Sequence, residues 1–144
     1  MSGPLYTAKA HVTGGRVSGH AESADGALAV DLRVPRELGG EGGGTNPEEL
    51  FAVGFAACFE SALSVVARRR KVELGDVTID SSVMLLPTEE RGFKLAVELE
   101  VTLPGVQEPE VAAELVGAAH RVCPYSNATR GNIEVTLSAN GRPL

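Results

Sequence analysis

Residues 46–69 read "NPEELFAVGFAACFESALSVVARR", and the rest of the fold is organised around this segment. Asn46 is a favourable helix N-cap and Pro47 suits the first helical position. Glu49 stands three residues after the cap, where its side chain can close a capping box. These signals predict a helix from Pro47 to about Arg69. Its first half is apolar on every face, which is typical of a helix that is buried all round.

Strand patterns lie on both sides of this helix. Before it, the segments "YTAKAHVT", "RVSGHAE" and "ALAVDLRV" are separated by glycine-containing turns, which predicts a three-stranded antiparallel meander. After it come two more strand patterns, "DVTIDSSVMLL" and "GFKLAVELEVTL", which predict a hairpin; the second alternates apolar and polar residues cleanly. Helical spacing in "PEVAAELVGAAHRV" predicts a second long helix, and "NIEVTLS" predicts a C-terminal strand.

These elements predict an α+β fold in which antiparallel strands wrap around a buried central helix. A length of 144 residues with 43% hydrophobic residues is typical of one globular domain, so we expect a single domain over residues 1–144. The net charge of −6 argues against nucleic acid as a partner, because neutralising phosphates requires clustered Lys and Arg. The apolar run from Leu50 to Phe59 covers about half of the roughly 20 residues that cross a bilayer, and the N-terminus has no signal-peptide pattern. We therefore expect a soluble, cytoplasmic protein with no membrane partner.

The chain has two cysteines, Cys58 in the apolar half of the central helix and Cys123 near the end of the second helix. Packing is the ordinary role of a buried cysteine. Cys123 precedes Pro124, where the chain must turn, and a cysteine at such a hinge can move. In the cytoplasm both thiols stay reduced unless chemistry oxidises them, which disfavours a permanent structural disulfide. A reactive thiol is therefore one candidate function.

Other chemistries have less support in the sequence. The glycine-rich loop "PRELGGEGGGTNP" lacks the Gly-Lys-Ser/Thr ending of a phosphate-binding loop. His120 and Cys123 could form half of a zinc site, but a chain with three histidines and no CxxC motif offers few further ligands. No G-x-S-x-G elbow supports a serine hydrolase. We therefore predict neither a metal nor another cofactor.

A reactive Cys58 would need a nearby cation. Burial in an apolar helix raises the pKa of a thiol, whereas a nucleophilic cysteine needs a lowered pKa. The cluster "RRRK" at residues 68–71 is better explained as a helix C-terminus that meets its own dipole. Spacing does not choose among the remaining candidates, which are Arg16, Arg33, Arg36, Arg121 and Arg130.

Three motifs carry a resemblance to a known family. They are "TGGR" at 13–16, "LGG" at 38–40 followed by "GGTNPEELFAVGFAACF" at 43–59, and "AHRVCPYSNATRGNIEV" at 119–135. With these motifs the chain resembles the organic hydroperoxide resistance proteins, a branch of the osmotically inducible protein C family. Glu60 departs from the family pattern, in which an uncharged residue is usual. On a helix Glu60 lies about 200° from Cys58, so we expect it to face elsewhere.

The resemblance implies a thiol peroxidase that acts on organic hydroperoxides. Matched by motif, Cys58 would be the peroxidatic cysteine and Cys123 the resolving cysteine, while Arg16 and Glu48 would complete the site. The resulting disulfide would be reduced by a dithiol, carried in this family by the dihydrolipoyl groups of lipoylated proteins. The apolar side chains near Cys58 would form the substrate pocket, namely Leu50, Phe51, Phe55 and Phe59.

Helix geometry adds an expectation about assembly. Glu48 and Cys58 are ten residues apart on one predicted helix, which separates them by about 15 Å along its axis. A glutamate side chain cannot span that distance, so a shared site would take Glu48 from a second subunit of an intertwined homodimer. A kink near Gly54 is the alternative.

Two functions from other classes stay open at this point. One is a non-catalytic module that binds a hydrophobic ligand beside the central helix. The other is a thioesterase-like enzyme, for which the sequence offers no evident general base. Consumption of peroxide with a dithiol reductant distinguishes a peroxidase from both.

Overall fold

The computed structural model describes residues 2–144, and the chain divides into two units, residues 2–50 and 51–144. The described elements form a mixed α+β structure with largely antiparallel sheets and a central helix. This confirms the predicted α+β class. The organisation as a single domain over residues 1–144 stays a prediction.

The first unit contains the predicted antiparallel meander. Its strands are β1 (Ala10–Thr13), β2 (Gly19–Ser23) and β3 (Ala29–Leu32), paired in the order β1-β2-β3. The segment "RVSGHAE" differs from its prediction, because it begins as a helical turn, α1 (Gly15–Ser18), before β2. Gly14 explains this turn: its φ is 72°, and a Cβ there would lie 2.6 Å from the Ser18 carbonyl oxygen.

The glycine-rich loop after β3 returns to that strand instead of leaving it. A short 3-10 turn (Arg36–Leu38) begins the loop, and its far end pairs with β3 through backbone hydrogen bonds from Arg33 to Thr45 (2.9 Å) and from Thr45 to Asp31 (2.9 Å). A Cβ at Gly44 would stand 2.6 Å from the Asp31 carbonyl oxygen, so this close approach requires glycine. The loop thus places the start of the central helix beside β3.

The central helix, α2, runs from Pro47 to Arg70 and confirms the predicted boundaries. The Asn46 side chain accepts a hydrogen bond from the Glu49 backbone N–H at 2.8 Å, which is the predicted N-cap. The second half of the capping box is different, because the Glu49 carboxylate accepts from the Thr45 hydroxyl at 2.7 Å. The helix start is therefore stabilised by two side chains on the preceding loop and one on the helix itself.

The burial of α2 differs from the expectation of a helix covered on every face. One side is buried, with Phe55, Phe59 and Leu63 fully inaccessible, while Val53 on another side is 70% exposed. A single layer of neighbouring elements covers one face of a helix, so an all-round apolar helix leaves apolar surface exposed in one chain. Among residues 2–144, only α2 is long and apolar enough to cross a membrane. The core helices of soluble proteins often share this length and composition.

The second unit carries a four-stranded sheet in the order β4-β5-β6-β7. Strands β4 (Thr78–Pro87) and β5 (Phe93–Thr102) form the predicted hairpin. The C-terminal strand β6 (Val135–Ala139) is an exception to the predicted antiparallel arrangement, because it pairs with β5 in parallel. Two helices lie in the connection between them, and a parallel pair needs such a crossover. The two-residue strand β7 (Arg142–Pro143) follows β6 through a turn.

The helices of this crossover are α3 (Pro109–Val122), with the predicted bounds, and α4 (Pro124–Thr129), which was not predicted. The core of the unit lies between α2, α3 and the sheet. Each fully buried Leu, Val or Phe contributes about 1.5–3 kcal/mol through burial. The fully buried residues of this core include Phe55, Phe59, Leu63, Val97, Leu99, Val101, Leu103, Leu115 and Val116.

Candidate active site

Cys123 occupies the junction between two helices and is fully buried. Its backbone N–H donates to the Ala119 carbonyl oxygen at 2.8 Å, and its own carbonyl oxygen accepts from the Asn127 N–H at 3.0 Å. The residue therefore ends α3 and precedes α4, whose first residue is Pro124. The predicted turn after Cys123 is a change of helix direction, with the thiol held at the corner.

Cys58 is half-buried on α2 and is a neighbour of Cys123, and both thiols are free. Burial is the largest cause that raises the pKa of Cys58, and the adjacent Cys123 thiol raises it as well. The backbone N–H of Tyr125 donates toward the Cys58 sulfur and lowers its pKa in part. Because the net shift is upward, a Cys58 thiolate at neutral pH requires an additional cation.

An aromatic cluster packs beside the two thiols. The Tyr125 ring lies 5.8 Å from the Phe51 ring and 5.5 Å from the Phe55 ring, measured between centroids. A Cβ at Gly54 would stand 2.7 Å from the Tyr125 hydroxyl oxygen, so this glycine makes room for the tyrosine. The helix assignment is continuous through Gly54, and the alternative of a kink there stays a prediction. Packing of its ring holds Tyr125 where its N–H reaches Cys58.

A cavity of about 740 Å³ opens beside this cluster. Of the predicted pocket residues, Phe51 lines it, whereas Phe55 and Phe59 lie in the core and Leu50 is half-buried at the start of α2. The lining that sequence reasoning missed comes from β5, α4 and the segment before β6. These residues are Phe93, Lys94, Leu95, Pro124, Tyr125, Ala128, Thr129, Asn132 and Ile133. Only the motif around Cys123 could have indicated the α4 residues.

The structure also brings Arg16 and Glu48 together. The Arg16 guanidinium donates two hydrogen bonds to the Glu48 carboxylate, at 3.0 and 2.8 Å. The bond to Arg16 holds the pKa of Glu48 below its usual range, and the same bond raises the pKa of Arg16. The side chains are 47% and 16% exposed, respectively. Both groups are therefore charged at neutral pH, and the fork of Arg16 is fixed in orientation. Their catalytic role stays a prediction.

Two of the other candidate arginines, Arg33 and Arg130, have structural partners. Arg33 donates to the backbone carbonyl oxygens of Gly19 and Leu32, and Arg130 donates to the His120 carbonyl oxygen and the Asn127 side chain. These bonds tie loops and helix ends together.

Two further residues singled out in the sequence have local partners. Glu60 accepts a hydrogen bond from the Ser64 hydroxyl at 3.0 Å. His120, which was considered and rejected as a zinc ligand, contacts the buried Ser126 hydroxyl at 2.8 Å, and burial lowers its pKa. In the part of the chain that the structure describes, no group of three or more His, Cys, Asp or Glu side chains could hold a metal.

Comparisons with known proteins identify relatives of this chain. The family model described as OsmC-like protein matches residues 40–138. An organic hydroperoxide resistance protein of Xanthomonas axonopodis pv. citri is 56% identical, over 93% of this chain and 94% of its own length.

Solved structures agree with the sequence comparison. An organic hydroperoxide resistance protein OsmC of Legionella pneumophila is 55% identical with a TM-score of 0.90, over 95% of this chain and 98% of its own. An organic hydroperoxide resistance protein of Elizabethkingia anophelis, solved with thiocyanate bound, is 48% identical with a TM-score of 0.89, over 94% and 96%.

Proposed function

Because the chain belongs to the OsmC-like family, in its organic hydroperoxide resistance branch, we propose that it detoxifies organic hydroperoxides by reducing them to alcohols. One observation carries the proposal: a half-buried Cys58 next to a fully buried Cys123, beside an apolar cavity. A nucleophilic thiol with a second thiol in reach is what a two-cysteine peroxidase requires.

The first step oxidises Cys58. Its thiolate attacks the terminal oxygen of the hydroperoxide, the O–O bond breaks, and an alkoxide leaves and takes up a proton to become the alcohol. Cys58 becomes a sulfenic acid. The Tyr125 N–H supports the thiolate before the attack, since a hydrogen bond to the charged form lowers a pKa.

The second step closes a disulfide. The Cys123 thiol attacks the sulfenic sulfur of Cys58, the S–S bond forms, and hydroxide leaves to become water with the thiol proton. Burial of Cys123 beside Cys58 supports this step, because closure requires the two Cα atoms within about 7 Å. The disulfide protects Cys58 from irreversible oxidation to sulfinic acid.

The third step returns both thiols. A dithiol attacks the disulfide, forms a mixed disulfide and leaves as its own cyclic or internal disulfide, so two electrons pass to the protein. We propose a dihydrolipoyl group on a lipoylated protein as this reductant, in the cytoplasm. Rates with dihydrolipoamide, dithiothreitol and glutathione, measured in parallel with cumene hydroperoxide, test it, and equal rates with glutathione would contradict a dithiol preference.

The cation that Cys58 needs is supplied, we propose, by Arg16 held by Glu48 of a partner subunit. Glu48 lies in the first turn of a helix that continues through Gly54 to Cys58, and ten residues of helix correspond to about 15 Å. An apolar side chain such as Val53 remains exposed on α2 in one chain, which supports burial of that face by a second copy. The active protein is then a two-fold homodimer with two composite sites.

Mixing two inactive variants tests the composite site. Chains carrying Cys58→Ser and chains carrying Arg16→Met are unfolded and refolded together. In a composite dimer, the mixed dimers contain one intact site, and random pairing restores about a quarter of the wild-type sites. Refolding each variant alone is the control. No recovery in the mixture, or full activity of a monomeric wild type, would contradict the composite site.

The substrate should carry an apolar group. Each methylene that the cavity removes from water favours binding by about 0.8 kcal/mol, which hydrogen peroxide cannot gain. We therefore expect a higher kcat/KM for alkyl and lipid hydroperoxides than for hydrogen peroxide. Stopped-flow oxidation of Cys58 with each peroxide measures this, and a preference for hydrogen peroxide would contradict the role of the cavity.

A further inference from the structure

The corner between α3 and α4 is closed by a hydrogen bond between two side chains that the proposed chemistry does not use. His120, in the last turn of α3, has its Nδ1 atom 2.8 Å from the hydroxyl oxygen of Ser126 on α4. Cys123 lies midway between these two residues in the sequence. The bond therefore joins the two arms of the corner that holds the Cys123 thiol.

The Ser126 hydroxyl is buried and depends on His120 for a partner. Ser126 is fully inaccessible to water, and within residues 2–144 the His120 ring is the only hydrogen-bond partner of its hydroxyl. A serine hydroxyl both donates and accepts, so it can pair with either tautomer of the ring. Because an unpaired buried hydroxyl is costly, the corner favours the shape in which this bond is made.

A second tie between the two helices does not use the His120 side chain. The Arg130 guanidinium donates to the His120 backbone carbonyl oxygen and to the Asn127 side chain. A substitution at His120 leaves all of these groups in place. The two helices should therefore stay docked in His120 variants, while the shape of the corner is less closely fixed.

The two groups that face Cys58 from this corner are held in different ways. The Tyr125 ring packs against Phe51 and Phe55, with centroid distances of 5.8 and 5.5 Å, so its N–H has an anchor outside the corner. The backbone hydrogen bonds of Cys123, by contrast, run to residues of α3 and α4. Loosening the corner should therefore displace the Cys123 thiol more than the Tyr125 N–H.

We propose that His120 is a positioning residue for disulfide closure: its bond to Ser126 holds the corner in the shape that keeps the Cys123 thiol within reach of Cys58. This inference rests on the proposed function, in which Cys123 attacks the sulfenic acid of Cys58. The rate of that attack is proportional to the fraction of molecules whose corner has the reactive shape. His120 acts through this fraction and takes no part in the transfer of oxygen or electrons.

A small set of variants separates the hydrogen bond from the rest of the ring. His120→Asn keeps a polar atom at the position of Nδ1, since both are attached to Cγ, and can still pair with Ser126. His120→Gln is the matched control, because it carries the same amide one carbon farther out. His120→Leu and Ser126→Ala each remove the bond, and the double variant completes a double-mutant cycle. If His120→Leu fails to fold, the comparison of Asn with Gln carries the test.

The two thiol steps should respond differently to these variants. After one equivalent of cumene hydroperoxide, samples are quenched with an alkylating reagent and measured by intact-protein mass spectrometry. Oxidation of Cys58 should proceed at close to the wild-type rate in every variant. Loss of two hydrogens, which marks the disulfide, should slow about two- to tenfold in His120→Leu, His120→Gln and Ser126→Ala, the factor that one hydrogen bond contributes to an equilibrium. His120→Asn should close at nearly the wild-type rate, and the double variant should be no slower than either single variant.

Several outcomes would overturn the inference. Closure at the wild-type rate in both His120→Leu and Ser126→Ala would do so, and faster closure would as well, since the bond would then hold Cys123 away from Cys58. Equal losses in His120→Asn and His120→Gln, or losses that add in the double variant, would show that the ring acts by packing and not through Ser126. An equal slowing of both thiol steps would show a general loosening of the site and would also contradict the proposal.

An equilibrium without peroxide separates this inference from the proposed function. In mixtures of oxidised and reduced dithiothreitol, Cys58 and Cys123 pass two electrons to the oxidised reagent as their disulfide forms. The equilibrium constant should fall about two- to tenfold in His120→Leu and stay near wild type in His120→Asn. If cumene hydroperoxide is not reduced but this pattern appears, the peroxidase proposal fails and the role of His120 stands. If cumene hydroperoxide is reduced and the pattern is absent, the inference fails alone.

Discussion

Each of the two units of the chain holds one pair of the proposed site residues, and the environments of the two pairs are opposite. In residues 2–50, Arg16 and Glu48 are accessible to water. Their mutual hydrogen bonds favour the charged form of each, because they raise the pKa of Arg16 and lower the pKa of Glu48. In residues 51–144, Cys58 and Cys123 lie against an apolar core, where burial disfavours charge and raises the pKa of Cys58. One pair is therefore charged at neutral pH, and the other consists of thiols whose surroundings disfavour charge.

This difference follows from the environment that each group needs. A guanidinium and a carboxylate lose several kcal/mol when they are taken out of water, so a charged pair is stable near the surface. A peroxidatic thiol that must meet an alkyl hydroperoxide benefits from apolar surroundings, which also exclude water from the sulfenic acid. The two requirements conflict, so substitutions in each pair should have different effects.

The largest effect is expected from removing the nucleophile. Cys58→Ser should abolish peroxide reduction, because a serine hydroxyl is not deprotonated at neutral pH and a thiol can be. The rate at which peroxide is consumed in the presence of excess dithiol measures this effect. An unchanged melting temperature shows that the fold is intact, and turnover well above the rate without protein would reject Cys58 as the nucleophile.

Cys123→Ser should separate oxidation from turnover. We expect one equivalent of peroxide to oxidise Cys58 at a rate close to wild type, after which lipoyl-dependent turnover stops because no resolving thiol is present. Mass spectrometry of the intact protein should show the gain of oxygen atoms, first one and then more. The wild-type control should instead lose two hydrogens as the disulfide forms. A wild type that gains oxygen without that loss would contradict the Cys58–Cys123 disulfide.

The charged pair should have an intermediate effect. Arg16→Met should lower kcat/KM for cumene hydroperoxide by about 10²- to 10³-fold, the usual cost of removing a donor that stabilises developing charge. Without the guanidinium the pKa of Cys58 should rise, so the residual activity should increase toward alkaline pH. Arg16→Lys keeps the positive charge but loses the bidentate geometry of the guanidinium. Its activity should lie between those of wild type and Arg16→Met. If the activity of Arg16→Met has the same pH dependence as that of wild type, Arg16 does not affect the pKa of Cys58.

The smallest effect is the contribution of the charged pair to stability. Because Arg16 lowers the folded-state pKa of Glu48, the pair stabilises the fold above the unfolded pKa of glutamate, about 4.3, and this contribution disappears as pH falls through the folded pKa. At pH 7 the free energy of unfolding of wild type should exceed that of Glu48→Gln by up to about 1 kcal/mol. The difference is small because the Arg16 side chain is 47% exposed and water screens the ion pair. Urea unfolding at equal protein concentrations from neutral to acid pH measures the difference. A difference that persists unchanged well below pH 4 would contradict the pairing.

Much of this protein could be predicted from local sequence. Asn46, Pro47 and Glu49 predicted the start of α2, because a helix cap depends on groups within one turn of each other. The alternation of apolar and polar residues in β5 predicted its strand, and the hairpin with β4, for the same reason. The two cysteine motifs identified Cys58 and Cys123 as the residues to test, since they are long and specific.

The remaining features depend on contacts between residues that are distant in sequence, so local patterns could not predict them. The sequence around Gly54 suggests a weak point in a helix. The structure shows that Tyr125, distant in the sequence, packs against Gly54 where a Cβ would not fit. The parallel pairing of β6 with β5 depends on how the intervening helices cross the sheet. Phe51, Phe93 and Tyr125 line one cavity although they are distant in the sequence. Local signals determine where helices and strands begin, whereas packing between distant segments determines which side chains share a cavity.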